Sequence, residues 1–73
     1  MRRFYLNRLH DVSGVSGEGI VAEGVVLSNG QVVLRWLGKY SSIEIHRSIE
    51  IIAAIHGHDG KTVIEWDDAE TEV

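Results

Sequence analysis

The 73-residue sequence contains no cysteine and no proline. Without cysteine, neither a disulfide nor a thiolate zinc site can reinforce a small core, so stability must come from apolar packing, self-association or a partner. Without proline, glycine is the chief punctuation, at Gly14, Gly17, Gly19, Gly24, Gly30, Gly38, Gly57 and Gly60. No apolar run approaches the roughly 20 residues of a membrane span, so no membrane partner is expected. The opening Met1-Arg2-Arg3-Phe4-Tyr5-Leu6-Asn7-Arg8 is basic but alternates polar and apolar side chains, unlike a signal peptide. The expected compartment is the cytoplasm.

What is present is an ordinary apolar share, 44%, in a chain near the lower size limit for unaided folding. So short a chain has much surface for its volume, and leftover apolar surface makes a homo-oligomer or a protein-binding face the expectation. The net charge of −4 is uneven: six Lys/Arg stand against four Asp/Glu through Arg47, and Lys61 alone against seven acids from Ser48 onward. Most of that excess lies in Asp67-Asp68-Ala69-Glu70-Thr71-Glu72-Val73, read as a flexible acidic tail after a single domain over residues 1–66.

Glycine spacing fits short strands and tight turns. Phe4 to Leu9 reads as a first strand with Phe4 and Leu6 on one face, and residues 11–19 as a glycine-rich loop. Ile20 to Ser28, Asn29-Gly30 and Gln31 to Leu37 read as a hairpin, because Asn-Gly supplies the two positive φ angles of a type I′ turn. That two-residue loop sets Leu27 opposite Val32, Val25 opposite Leu34 and Glu23 opposite Trp36, which leaves a carboxylate among apolar neighbours. A bulge at Gly24 would turn Glu23 outward toward Arg35. Alternatively, both hairpin faces are buried, since Val26, Val33 and Leu37 lie opposite the core in either reading.

Ser42 to Arg47 alternates as a half-buried strand with Ile43 and Ile45 inward and Glu44 and His46 outward. Ser48 then caps a short helix over about 49–56, with Ile49, Ile52 and Ile55 as its apolar positions and Gly57 as a left-handed terminator. Asp59-Gly60 marks a turn, and Lys61 to Trp66 a last strand with Thr62, Ile64 and Trp66 on one face. The fold class is mostly β, in the order β-β-β-β-α-β.

That order resembles the SH3-like small β-barrels, in which a long loop follows the first strand and a helical turn precedes the fifth. The resemblance implies a partly closed barrel. It does not extend to a proline-rich ligand, because residues 11–19 lack the acidic, aromatic signature of signalling SH3 domains. Asp11-Val12-Ser13-Gly14-Val15-Ser16-Gly17, Val33-Leu34-Arg35-Trp36-Leu37 and Ile55-His56-Gly57-His58-Asp59-Gly60-Lys61-Thr62 resemble phrases of short uncharacterised proteins of bacterial and phage genomes. This second resemblance implies no activity and points to a phage or host-defence setting.

The sequence carries no catalytic signature, and no cofactor is expected. His56, His58 and Asp59 are a candidate metal cluster or hydrolase centre, for which a further ligand such as His10 or His46 would have to fold nearby. The competing account is structural: a histidine at a helix C-terminus and ordinary Asp-Gly turn chemistry. Gly14, Gly17 and Gly19 lack the lysine and helix of a phosphate-cradling loop, and Ser13 and Ser16 have no assignable activating base. Arg35 or Arg47 with the glycine loop would serve a nucleotide or nucleic-acid binder, but the basic residues are scattered in an acidic chain, so nucleic acid is not the expected partner. The leading expectation is a non-enzymatic interaction module, a regulator or inhibitor that binds itself or a larger protein. Its expected interface is Val26, Val33, Arg35, Leu37, Lys39 and Tyr40.

Overall fold

In a computed structural model, residues 1–9, 19–57 and 59–67 are described. They form β1 (Arg2–Arg8), β2 (Gly19–Val26), β3 (Val32–Trp36), β4 (Ile43–His46), α1 (Ile49–His56) and β5 (Thr62–Trp66). The strands make one antiparallel sheet in the order β4-β3-β2-β1-β5. The element order is the expected one. The barrel is not: β4 and β5 are the two edges of an open sheet.

Among the described residues one face of the sheet is covered, and α1 packs on it. Phe4, Leu6, Ala22, Val32 and Leu34 are buried there with Ile52 of the helix, and Val26, Trp36, Ile49, Ile64 and Trp66 pack around them. The period-2 readings of β1 and β5 hold, because Phe4 and Leu6, and across the ladder Ile64 and Trp66, share this face. Arg8 continues it, buried with its Nε–H donating to Thr62 Oγ1 at 3.2 Å.

The hairpin forms with a register one residue away from the expected one. Leu27 N–H donates to the Gln31 carbonyl at 2.8 Å and Gly30 N–H to the Leu27 carbonyl at 2.9 Å, so the loop is Ser28-Asn29-Gly30. Only Gly30 in it has a positive φ, +90°. This is the three-residue hairpin connection, a turn closed by a left-handed glycine, rather than the type I′ turn. Asn29 is held by its own side chain, whose Oδ1 accepts from Gln31 N–H at 3.0 Å and whose amide donates to Gln31 Oε1 at 2.8 Å.

The shifted register removes the need for a bulge at Gly24. Glu23 pairs directly with Arg35, Gly24 with Leu34, Val25 with Val33 and Val26 with Val32. Gly24 serves close packing instead: a Cβ there would strike the Phe4 ring and approach the Val33 carbonyl oxygen to 2.9 Å. The irregularity lies earlier, where Leu6 pairs with Ala22 but Asn7 with Ile20. Val21 is the extra residue, and both Val21 and Ala22 are buried as a result.

Two further expectations are corrected. On β4 it is Glu44 and His46 that face the covered side, while Ile43 and Ile45 point away and are 66% and 69% exposed. The alternation is present with its sense reversed, because Glu44 meets the Trp36 indole N–H under the helix. On α1, Ser48 is the N-cap and its hydroxyl accepts from Ile51 N–H at 3.4 Å. Ile55 nevertheless lies outside, 53% exposed, and His56 takes the inward place against Trp36, with ring centroids 4.9 Å apart. At 3.6 residues per turn His56 lies about 20° from Ile49, whereas Ile55 lies about 120° away. Gly57 is right-handed, at φ −70°, and is required for space, since a Cβ would meet the Ala53 carbonyl oxygen at 2.5 Å.

The acidic ending falls, apart from Asp67, outside the described residues. Asp67 extends the β5 pairing by donating its N–H to the Arg3 carbonyl.

Candidate functional site

Two features stand out, one on each side of the sheet. On the outer face the register builds two cross-strand rows: Arg3, Val25, Val33 and Ile45 in one, and Tyr5, Glu23, Arg35 and Ile43 in the next. Both rows are apolar at β4; the first is charged at its β1 end by Arg3, and the second carries Glu23 and Arg35 on the central strands beside Tyr5. A groove of about 520 Å³ runs along them, lined by Arg3, Tyr5, Glu23, Val25, Val33, Arg35 and Ile43 among others. Arg35 Nη1 stands 3.0 Å from Glu23 Oε2, which fixes both side chains across the groove. This exposed pair positions charge and adds little stability.

Of the expected interface residues, Val33 and Arg35 line this groove. Val26 does not: it pairs with Val32 and packs on the core side, because the shorter strand overlap turns it inward. Leu37 lies beyond β3, its N–H donating to the Val21 carbonyl at 3.0 Å. Lys39 and Tyr40 occupy the β3–β4 connection, where the Lys39 ammonium lies over the Tyr40 ring at 5.5 Å and Tyr40 is exposed. Ile43 and Ile45, expected inward, belong to the outer face, and Tyr5 joins them on the side opposite Phe4 and Leu6.

The second feature lies under α1. Glu44 Oε2 accepts from Trp36 Nε1–H at 2.9 Å, leaving Oε1 directed at two histidines. His46 Nε2 lies 2.9 Å from Oε1 and His56 Nε2 3.8 Å from it. One candidate ligand atom from each of the three falls within 4.8 Å of the others, close enough that the group could hold a metal ion. His56 was expected in such a cluster; Asp59 sits instead in an exposed left-handed turn, φ 56°, and His58 lies outside the described residues. Glu44 was missed. Its signal was the Glu-x-His spacing on a strand, which places both side chains on one face.

The hydrogen bond from His46 holds the Glu44 carboxyl below its ordinary value of 4.5, with further lowering by the Trp36 hydrogen bond and both histidine charges, against partial desolvation. A carboxylate with a depressed folded pKa stabilises the fold above its unfolded value, and that contribution is lost as pH falls through the folded one. In chelator-treated buffer, Glu44→Gln should therefore be less stable than wild type at neutral pH. Urea melts at descending pH should show the gap closing below about pH 4.5; a constant gap would contradict the assignment.

Basic side chains do not gather on one face. Arg2 stacks over Trp66 at 3.8 Å, Arg3 pairs with Asp67 at 3.6 Å, Arg8 is buried against Thr62, and Arg35 holds Glu23. The glycine loop with Ser13, Ser16 and His10 lies outside the described residues, apart from Gly19. Among the described residues no helix is long and apolar enough to cross a membrane. No curated protein and no solved structure matches the chain. One family model does match, over residues 1–68, and by that match the chain belongs to the Acb5 phage protein family.

Proposed function

We propose that this phage protein is a non-enzymatic interaction module that associates with a second copy of itself through the outer face of its sheet. In this reading the assembled pair acts on a larger protein as a regulator or inhibitor. The observation that carries it is the outer face, which no element among the described residues covers. A sheet is ordinarily covered on its apolar side, and here α1 covers only one side while Val25, Val33, Ile43 and Ile45 form an apolar band on the other.

A second copy is favoured because the band ends in charges of both signs, Arg3 and Arg35 with Glu23. A two-fold axis through the band sets each copy's charged end against the other's, so that opposite signs can meet. Sheets stacked in this way lie about 10 Å apart with side chains interdigitating. Nucleic acid is disfavoured by the dispersal of the arginines described above, since phosphate recognition needs a clustered basic footprint.

The test is the mass in solution. Wild type should run as a dimer in sedimentation equilibrium at tens of micromolar. Val33→Lys or Ile43→Lys should convert it to a monomer with an unchanged far-ultraviolet circular dichroism spectrum. A monomeric wild type at ~100 μM, well above the affinity that a standard interface provides, would overturn the self-association.

A further inference from the structure

The Glu44, His46 and His56 cluster lies on the covered side and is independent of the outer face. We infer that it is a divalent transition-metal site, taking zinc in preference to magnesium or calcium, that fastens α1 to the edge strand β4. Its ligands are Glu44 Oε1, His46 Nε2 and His56 Nε2.

The donor set comes first. Two imidazoles and one carboxylate are a known zinc set, too nitrogen-rich for magnesium or calcium, which favour oxygen. The geometry agrees. Bonds of about 2.0–2.1 Å in a tetrahedron place ligand atoms ~3.3 Å apart. Glu44 Oε1 lies 2.9 Å and 3.8 Å from the two imidazole nitrogens, which straddle that value. The third edge of the triangle, between the two imidazoles, is bounded at 4.8 Å, so the histidine side chains draw toward each other when an ion binds.

Orientation is supplied from outside the ligand set. The Trp36 indole N–H occupies Glu44 Oε2 and so directs Oε1 toward the histidines. Trp36 also meets the His56 ring edge-on at 4.9 Å, so a single side chain orients two of the three ligands. Outer partners of this kind fix ligand rotamers before the ion arrives. The imidazoles are mostly buried, with side chains 18% and 19% exposed, while Glu44 is open enough, at 37%, to give an ion access. Three protein ligands leave a fourth position for water or an incoming ligand.

The mechanical consequence follows from where the ligands lie. Two come from β4 and one from the last turn of α1, so the ion ties the far end of a two-turn helix to a sheet edge. His46 to His56 is also the segment whose N-cap is Ser48, so metal and cap restrain the same short helix from both ends.

Isothermal titration of the tag-free, chelator-stripped chain with zinc chloride should show one ion per chain. Zinc at ~100 times its dissociation constant should raise Tm by roughly 10–20 °C, as expected for a ligand that binds only the folded form of so small a domain. Glu44→Gln and His56→Gln should each weaken binding by at least ~100-fold, more than the 10–100-fold typical of losing an outer partner. Trp36→Phe should fall within that smaller range. His58→Asn and Asp59→Asn should leave affinity unchanged. Should a variant fail to fold, long-range ¹⁵N imidazole spectra of the wild type still decide, because zinc should perturb the nitrogens of His46 and His56. Binding weaker than ~1 mM, or binding that follows His58 and Asp59 while leaving His46 unperturbed, overturns the site.

Discussion

Gly24→Ala is expected to destabilise the domain by about 3 kcal/mol, at the upper end of the range for overpacking a well-filled core. Opposing terms must first be weighed. Gly24 has an ordinary backbone conformation, so alanine there gains about 0.4–1 kcal/mol by restricting the unfolded chain. Against that gain stands a methyl that would fall against the Phe4 ring and 2.9 Å from the Val33 carbonyl oxygen. Neither can give way easily. Phe4 is fully buried with its ring 5.7 Å from Trp66, and the Val33 carbonyl belongs to the neighbouring strand.

A cycle with Phe4→Leu separates this contact from a general intolerance of the strand. Removing the ring should cut the cost of Gly24→Ala by at least ~1 kcal/mol, a coupling of the size seen for residues in contact. Urea denaturation of the four proteins measures it. A neutral Gly24→Ala, or an equal cost with and without the ring, would show that glycine is not there to admit Phe4.

The same position shows what could and could not be read in the sequence. The hairpin was legible from Asn29-Gly30 between two β-branched runs, and the Glu23–Arg35 pair was anticipated through a bulge at Gly24, where the pairing in fact runs unbroken. The loop takes in Ser28, and that one residue changes which side chains share a face. Sequence pattern specifies period more firmly than phase. β4 illustrates the point, since Ile-x-Ile alternation is present but Glu44 and His46 are the inward pair. What reverses it is tertiary: an indole donor from β3 and a histidine from α1, which no window of neighbouring residues contains. The Glu44, His46 and His56 cluster was hidden for the same reason, although His46 and His56 had each been considered as ligands. The outer groove was legible only as a hairpin face. Its width depends on β1 and β4 flanking that hairpin.

Ile52→Ala carries the second large effect. Ile52 is the one fully buried residue of α1. Truncating a buried isoleucine costs about 2–5 kcal/mol, the transfer term plus the cavity left behind. At roughly 0.05–0.15 kcal/mol per residue, a chain of this length has a total stability of about 4–11 kcal/mol, so the loss is a large share of it. Thermal melts should show a Tm drop of at least ~10 °C, given about 4–8 °C per kcal/mol for domains of this size. Ile55→Ala is the matched control, with the same chemistry on the same helix but a side chain 53% exposed, and it should cost less than ~1 kcal/mol. The two residues would have been ranked alike by the Ile49, Ile52, Ile55 spacing, so equal losses would return His56 to the surface and unseat it from Trp36. A large loss at Ile52 alone establishes the observed helix phase, and with it the direction in which His56 faces Glu44.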